Sequence, residues 1–222
     1  MCGRFTNMMT WAEIHALYSI NDDPSTRRNT PARHNIAPTQ DVFFCIQNGG
    51  EREIKEGRWW LVPHWAKELP KYPLFNARSE TAAKKSSFRD AFKSKRCLIP
   101  ANGYYEWTKA EDGGKDPHYI YLSEHEHYSF AGLWAYNSIL DLMSCTILTA
   151  AAAPKIEHLH DRMPIILPEE KYSDWLDAET EVESAQELLL DNRGSELVSH
   201  RVGREVNSSR SSGNELVEPI SV

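Results

Sequence analysis

The chain has 222 residues, of which 41% are hydrophobic and 26% charged, and its formal net charge is -7. This composition is typical of a soluble domain that can bury one core, and no apolar run is long enough to span a bilayer. The acidic balance argues against a protein that coats nucleic acid electrostatically, so a nucleic-acid contact would need a local basic groove. The N-terminus has no apolar signal-peptide core, and we expect a cytoplasmic protein.

The first helix signal is a capping box, because Thr10 precedes an apolar-periodic run and Glu13 follows three residues later. We expect this helix to extend to about Tyr18. A loop is predicted at 21–38, which is rich in Asn, Asp, Pro and Arg, and a helix with basic residues on its exposed side at 81–95. Further helical segments are predicted at 169–177 and 181–190.

Runs rich in β-branched and aromatic residues predict strands through most of the chain. Turn signals at 48–50 (NGG) and 112–114 (DGG) separate neighbouring runs. The predicted strands are 2–5, 42–46, 58–62, 97–99, 104–107, 118–122, 128–133, 144–150 and 197–202.

Many strands with a few peripheral helices indicate one α+β domain over residues 1–222, with a curved, largely antiparallel β-sheet or barrel-like core. The residues at 208–222 are polar and are predicted to form an extended or mobile tail. Within this tail, 217–222 is a segment that could dock on the rest of the chain.

The four cysteines lie at positions 2, 45, 97 and 145 without any CxxC pair, a spacing that provides neither a zinc site nor a disulfide framework. The last three lie in apolar runs and are expected to be buried. Cys2 differs because removal of Met1 leaves it with an α-amine and a thiol on neighbouring carbons. The amine is partly neutral near neutral pH, and Arg4 is expected to lower the pKa of the thiol.

A 1,2-aminothiol of this kind reacts with an aldehyde in two steps. The amine forms a Schiff base, and the thiol then adds to the same carbon and closes a five-membered thiazolidine ring. An internal cysteine cannot form this ring because its nitrogen is part of an amide. The alternative for Cys2 is a chance cysteine at a frayed terminus.

Seven segments in order resemble the SRAP family, the SOS response-associated peptidases or abasic-site processing proteins. They are CGRF at 2–5, NIAP at 35–38, WWLVPHW at 59–65, FNARSE at 75–80, RCLIP at 96–100, GYYEW at 103–107 and HLHDRMP at 158–164. The resemblance implies that Cys2 forms a covalent thiazolidine cross-link with an abasic site in single-stranded DNA, which protects the lesion during the DNA damage response. It also implies AP-lyase chemistry as a side branch and an autoproteolytic activity, although removal of Met1 could be sufficient to expose Cys2.

The resemblance also implies roles for individual residues. Cys2 is the nucleophile, Asn76 positions the cysteine or the opened sugar, and Glu106 and His160 handle protons. Histidine titrates near neutrality, and the aromatic neighbours of Glu106 are expected to raise the pKa of its carboxyl. The residues expected to contact DNA, the arginines at phosphates and the others at stacked bases, are Arg4, Pro38, Trp65, Arg78 and Arg162.

No cofactor is expected, and the His-x-His pair at 158 and 160 has no partner residues with metal-ligand spacing. The basic residues within 84–95 form either a solvated helix face or a part of the DNA contact. The expected partner is single-stranded DNA with abasic sites, and we expect a monomer with no membrane association.

Two other functions remain open. The first is an N-terminal-cysteine amidohydrolase or thiol peptidase, because Met-Cys-Gly also begins the class II glutamine amidotransferases. The second is a non-catalytic single-stranded DNA binding module, which would bind intact and abasic DNA equally and would be indifferent to Cys2→Ala.

Overall fold

In the computed structural model, which describes residues 2–21, 28 and 30–220, twelve strands form two sheets. The strands are β1 Phe5–Asn7, β2 Arg33–Ile36, β3 Asp41–Asn48, β4 Glu51–Trp59, β5 Asn76–Arg78, β6 Arg96–Ala101, β7 Gly103–Lys109, β8 Lys115–Leu122, β9 Tyr128–Asn137, β10 Leu142–Ala151, β11 Arg162–Pro164 and β12 Leu197–Arg201. The first sheet has the order β12-β8-β7-β1-β2, and the second has the order β11-β10-β4-β3-β6-β9.

The second sheet closes on itself. Strand β9 pairs with both β6 and β10, so that β10, β4, β3, β6 and β9 form a barrel, while β5 pairs with β10 from outside this path. Most pairings are antiparallel, and β10 pairs in parallel with β4 and β5. The predicted α+β fold with a largely antiparallel, barrel-like core is therefore confirmed.

The helices are short and lie at the periphery. They are α1 Trp11–Leu17, α2 Ser79–Ala82, α3 Arg89–Ser94, α4 Tyr172–Leu176 and α5 Val182–Leu188, and 3-10 turns occupy Glu169–Lys171, Arg193–Glu196, Arg204–Asn207 and Asn214–Leu216. The capping box of α1 is present, since the Thr10 hydroxyl accepts from Glu13 N–H and the Glu13 carboxylate accepts from Thr10 N–H. No helix in the described ranges is long and apolar enough to cross a membrane.

Alternating side chains of the barrel strands divide the core into two layers. On β6, Cys97 and Ile99 face the first sheet together with Phe5 and Tyr104. Leu98, between them, faces the helical side. This alternation follows from the two-residue period of a strand and gives each barrel wall a buried face on both sides.

Several predicted elements are corrected by the structure. The first strand is Phe5–Asn7 rather than 2–5, and the strand predicted at 58–62 is Glu51–Trp59. The sequence of β4 is mostly polar and does not show the apolar alternation that predicts a strand. The turn predicted at 48–50 is confirmed by positive φ at Gly49 and Gly50. The loop predicted at 21–38 contains strand β2, and residues 22–27 and 29 lie outside the described residues.

The helix predicted at 81–95 is two helices. Helix α2 ends at Ala82 and α3 begins at Arg89, and the intervening turn contains Ser86 and Ser87. Serine disfavours a helix interior because its hydroxyl competes for backbone hydrogen bonds. Strands β5 and β11 are not predicted because three residues are too few to show a pattern.

The segment at 208–222, predicted as an extended or mobile tail of which 217–222 could dock, is docked over its described part, residues 208–220. Val206 and Leu216 are buried against Tyr105 and Tyr119 of the first sheet. The Tyr105 hydroxyl lies 3.3 Å from the Leu216 carbonyl oxygen and donates a hydrogen bond to it. The C-terminal segment, residues 203–220, therefore covers the outer face of this sheet.

Candidate active site

Cys2 lies at the entrance to β1 and has no exposed surface. The Asn76 side-chain amide donates a hydrogen bond to the Cys2 carbonyl oxygen at 2.7 Å. The Cys2 thiol points to the Arg4 carbonyl oxygen at 3.9 Å, and Tyr105 N–H donates to the same oxygen at 2.9 Å. The backbone of residues 2–4 is thus fixed from two sides, by β5 and by β7.

Asn76 is held by the barrel. It begins β5 and pairs with Ile147 of β10, while the preceding residue, Phe75, accepts a hydrogen bond from the Trp59 indole at 2.8 Å. Asn76 and Cys2 are far apart in sequence, and they meet because β5 lies against β10 where the two sheets face each other.

Glu106 lies on β7, the strand that pairs with β1, and is only 5% exposed. Burial raises the pKa of its carboxyl, whereas the nearby charge of His160 acts in the opposite direction. The predicted upward shift is confirmed. The carboxyl therefore keeps its proton to a higher pH than an exposed glutamate.

The Cys2 thiol is also shifted upward. Burial and the negative charge of Glu106 both raise its pKa. The prediction that Arg4 lowers this pKa is wrong, because the pKa is raised and the Arg4 guanidinium instead binds Asn35 and Val206. The thiol therefore holds its proton near neutral pH, where a free cysteine is partly ionised.

Arg4 contacts the protein on three sides. Its Nη1 donates to the Asn35 side-chain oxygen at 2.6 Å and to the Val206 carbonyl at 2.8 Å, and its Cζ lies 5.7 Å from the Trp107 ring centroid. The Asn35 amide donates to two carbonyls of the C-terminal segment, those of Ser208 and Ser211, each at 2.9 Å. Sequence reasoning missed Asn35, although a polar residue within the otherwise apolar NIAP segment was a signal for it.

His160 precedes β11, and its Nδ1 has two neighbours. Arg162 N–H donates to this nitrogen at 2.9 Å, and an Asp161 carboxylate oxygen lies 2.8 Å from it. One nitrogen cannot accept and donate at once, so the two contacts correspond to two protonation states of the ring. A neutral ring accepts from Arg162 N–H and carries its proton on Nε2. A charged ring donates from Nδ1 to Asp161.

The guanidinium of Arg162 is paired with a carboxylate, whereas Arg78 is exposed to solvent. Arg162 forms a bidentate pair with Glu80 at 2.6 and 2.9 Å and donates to the Thr149 carbonyl at 2.5 Å. Arg78 is exposed at the end of β5, two residues after Asn76. The structure thus leaves Arg78 open to solvent and holds Arg162 in an ion pair.

The structure brings four of the predicted residues together. Cys2 and Asn76 share a hydrogen bond, and the charge of Glu106 acts on Cys2 while that of His160 acts on Glu106. Pro38 is half-buried after β2, and Trp65 is 51% exposed in the loop before β5, and neither has a hydrogen bond or ring contact to these four residues among the described contacts.

Cys45, Cys97 and Cys145 are buried, as predicted, and all three are free thiols. Among the residues that the structure describes, no three His, Cys, Asp or Glu side chains are grouped for a metal ion. The side chains that the described site brings together are a thiol, an amide, a carboxyl and an imidazole.

Comparisons with known proteins agree on one family. The family model described as SOS response associated peptidase (SRAP) matches residues 1–209. The chain is 35% identical over 223 residues to the abasic site processing protein YoqW of Bacillus subtilis (strain 168), covering 98% of this chain and 99% of that protein. It is 28% identical over 226 residues to the abasic site processing protein YedK of Escherichia coli (strain K12), covering 99% and 100% respectively.

A solved structure supports the fold. The crystal structure of a protein from Bacteroides thetaiotaomicron superposes with a TM-score of 0.83, covering 99% of this chain and 100% of that one, at 21% sequence identity.

Proposed function

Because the chain belongs to the SOS response associated peptidase (SRAP) family, we propose that it processes abasic sites in single-stranded DNA by a covalent bond through Cys2. The observation that carries this proposal is the convergence of four groups at the start of the chain. Asn76 holds the Cys2 carbonyl at 2.7 Å, and the charges of Glu106 and His160 act within the same site. The partner is DNA that carries an abasic sugar, whose opened form is an aldehyde.

The first bond forms between nitrogen and C1′ of the sugar. After removal of Met1, the neutral α-amine of Cys2 attacks the aldehyde, and the carbinolamine loses water to give a Schiff base. Ring opening must deliver a proton to O4′, and loss of water must deliver one to the hydroxyl. The Glu106 carboxyl and the His160 ring supply these protons, because burial raises the pKa of the carboxyl and an imidazole can both accept and donate a proton.

The second bond forms between sulfur and the same carbon. The thiol adds to the Schiff base, its proton moves to the nitrogen, and the products are a thiazolidine and one water molecule overall. A protonated thiol is a weak nucleophile, so the amine reacts before it. Asn76 fixes the Cys2 carbonyl and thereby the position of the backbone that carries both nucleophiles.

The same Schiff base can lose the 3′ phosphate by β-elimination when the thiazolidine does not form. Cys2→Ala keeps an N-terminal amine and lacks the sulfur. This variant should therefore show AP-lyase cleavage 3′ to the lesion instead of a stable adduct.

Peptidase activity is the weaker alternative. A thiol peptidase needs a cysteine whose pKa is lowered by a base or a positive charge, whereas burial raises the pKa of the Cys2 thiol. Turnover of a peptide or of glutamine would favour this alternative, and equal binding of intact and abasic DNA would favour a non-catalytic module.

A cytoplasmic location and a monomeric state stay predictions.

The experiment that tests the proposal mixes the protein with single-stranded DNA carrying one abasic site. Intact mass spectrometry first establishes that Met1 is removed, and a denaturing gel then detects a heat-stable one-to-one adduct. We expect the adduct with abasic DNA and none with undamaged DNA. A heat-stable adduct formed by Cys2→Ser in the same yield would overturn the thiazolidine mechanism.

A matched control keeps the thiol and removes only the free amine. A variant with an additional glutamate between Met1 and Cys2 keeps the Cys2 nitrogen in a peptide bond, and intact mass spectrometry checks that neither methionine removal nor autoproteolysis has exposed Cys2. We expect no adduct from this variant. Cross-linking in wild-type yield would place the reaction elsewhere in the chain.

A further inference from the structure

Three polar side chains lie in one row across the first sheet, beginning at Glu106. Glu106 of β7 is the register partner of His118 on β8, and His118 is the register partner of Arg201 on β12. Direct partners on antiparallel strands point to the same face of a sheet, with their Cβ atoms roughly 4.5–5.5 Å apart. His118 is therefore a direct neighbour of the buried carboxyl, on the face opposite to the one that the C-terminal segment covers.

His118 is half-buried, and one side of its ring is fixed. Its Nε2 lies 3.1 Å from the hydroxyl of Thr108, which follows Glu106 on the same face of β7. One ring nitrogen is thereby engaged, and Nδ1 is the nitrogen that remains for a second partner. Thr108 is itself partly exposed. The ring therefore lies between a buried carboxyl and a hydroxyl that solvent can reach.

The surroundings of His118 favour its neutral form. Burial lowers the pKa of the ring, and the positive charges of Arg201 and His158 lower it further. His200 also lowers this pKa, whereas the carboxylate of Asp116 raises it. Asp116 is at the same time paired with Arg201 at 2.9 Å, so its charge is shared. The ring is therefore neutral near neutral pH and can take up a proton.

Burial brings the pKa values of Glu106 and His118 closer together. It raises the pKa of the carboxyl and lowers that of the imidazole, whose ordinary value is the higher of the two. A proton moves readily between neighbouring groups whose pKa values are similar. Glu106 is only 5% exposed and has little direct contact with water, whereas His118 is half-buried. The imidazole is thus the better placed of the two to exchange protons with solvent.

We propose that His118 is a positioning residue of the cross-linking reaction, which acts through Glu106 by exchanging the proton of this carboxyl with solvent. The inference rests on the proposed function and deepens it. After Glu106 has given its proton to the sugar oxygen, the His118 ring takes up a proton from the solvent and passes one to the carboxylate. The carboxyl is restored, the ring is neutral again, and one proton has moved from solvent into the site.

The test measures the rate of adduct formation in single turnover, with protein in excess over single-stranded DNA that carries one abasic site. We expect His118→Ala to lower the maximal rate by roughly tenfold or more. The protein concentration that gives half of the maximal rate should stay close to the wild-type value, because His118 acts on the proton and not on the strand. Free imidazole in the buffer should restore much of the rate, since it can occupy the space that alanine leaves and carry the proton.

His118→Gln is the matched variant. Its amide can keep the contact with Thr108 and fills the space of the ring, but it cannot carry the proton. The rate should therefore fall as in His118→Ala, without recovery by imidazole. His125→Ala, which removes an exposed histidine between β8 and β9, should react like wild type. Thermal denaturation checks that each variant is folded.

A double-mutant cycle tests whether His118 acts through Glu106. In a protein that already carries Glu106→Gln, we expect His118→Ala to slow the reaction no further. An equal slowing with and without Glu106→Gln would overturn the proposal, and so would a wild-type rate for His118→Ala.

The wild-type protein separates this proposal from the proposed function. If wild-type protein forms the adduct and the His118 variants form it at the same rate, the role of His118 fails and the proposed function stands. If wild-type protein from which Met1 is removed forms no adduct, the proposed function fails, and the role of His118 fails with it.

Discussion

At the scale of single residues, the site contains two acids, the Cys2 thiol and the Glu106 carboxyl, at positions where burial disfavours the charged form of each. Burial raises the pKa of the Cys2 thiol and of the Glu106 carboxyl, and the Glu106 charge adds to the shift of the thiol. A carboxyl in this state can donate a proton at a pH where an exposed glutamate has already lost its own. The chemistry of the site therefore depends on the protonation state of Glu106.

The raised pKa of Glu106 gives stability a defined pH dependence. Between the ordinary glutamate pKa and the raised one, the folded state binds more protons than the unfolded state, so stability is lost as the pH rises. Glu106→Gln lacks this titration. We expect its melting temperature, relative to wild type, to be higher near neutral pH than in mildly acidic buffer, as measured by calorimetry. A difference that is independent of pH would contradict the shift.

The hydrogen bond from Asn76 to the Cys2 carbonyl predicts a kinetic effect. Asn76→Asp keeps the shape of the side chain but replaces the donor by an acceptor, so the 2.7 Å contact becomes repulsive. We expect cross-linking to slow by roughly tenfold or more. Affinity for single-stranded DNA with a tetrahydrofuran residue, an abasic analogue that has no aldehyde, should change little. Single-turnover gel kinetics measure the rate.

The control for this variant is Asn192→Asp. Asn192 uses its side-chain oxygen to accept from Gly194 N–H, a role that aspartate retains. It should cross-link at the wild-type rate. If the Asn76→Asp variant reacts as fast as this control, the hydrogen bond from Asn76 does not position Cys2 for the reaction.

Sequence reasoning could identify Cys2, Asn76, Glu106 and His160 because each lies in a recognisable segment. It could not find the orientation of Arg4, since this depends on Asn35 and Val206, which lie 31 and 202 residues away. Sequence reasoning also could not predict that the pKa of the Cys2 thiol is raised. This shift results from burial, and burial of a chain terminus depends on strands that are far apart in sequence.

At the scale of elements, Arg96 connects the barrel to the peripheral helices. It is 2% exposed at the start of β6, and its guanidinium donates to the carbonyls of Phe92, Lys93, Trp175, Asp177 and Thr180. These carbonyls belong to α3 and to the region of α4. One side chain thus satisfies the C-terminal ends of two short helices.

Replacing this guanidinium should uncouple the two helices. Arg96→Met leaves five carbonyls without their donor, and we expect the free energy of unfolding to fall by about 3 kcal/mol or more. Urea denaturation measures the loss. Lys93→Met, which removes a charge from an exposed position of α3, should change stability by less than about 0.5 kcal/mol. Equal effects of the two substitutions would refute the role of Arg96.

Elements with a local signal were predicted correctly, and elements without one were not. The capping box of α1 and the long strands β8, β9 and β10 carry their own patterns. Strand β4 has a polar sequence and is defined by pairing with β3 and β10. Closure of the barrel by β9 and β10 depends on the whole set of strands, which no single window of sequence contains.

At the scale of the whole molecule, the C-terminal segment connects the end of the chain to its beginning. Arg4 donates to the Val206 carbonyl, and Asn35 donates to the carbonyls of Ser208 and Ser211. Val206 and Leu216 are each almost fully buried. The segment that carries Cys2 is therefore supported by residues near the other end of the chain.

Truncation tests this support. A chain that ends after Val202 loses two buried aliphatic side chains, and we expect the free energy of unfolding to fall by about 4 kcal/mol. Cross-linking should slow as well, because Arg4 loses its Val206 partner. A chain that ends after Ile220 is the control and should behave as wild type in urea denaturation and in the gel assay. Wild-type stability of the shorter chain would show that the segment is dispensable.

The complete burial of Cys2 determines which reagents can reach its thiol. Under the proposed function each molecule reacts through its single Cys2, so a reaction of this residue with another electrophile would remove that molecule from use. Small oxidants and alkylating reagents attack thiolates at accessible positions, whereas this thiol is enclosed and protonated. Burial therefore protects the thiol from such reagents, and under the proposed function the DNA strand that enters the site brings the aldehyde with which Cys2 reacts.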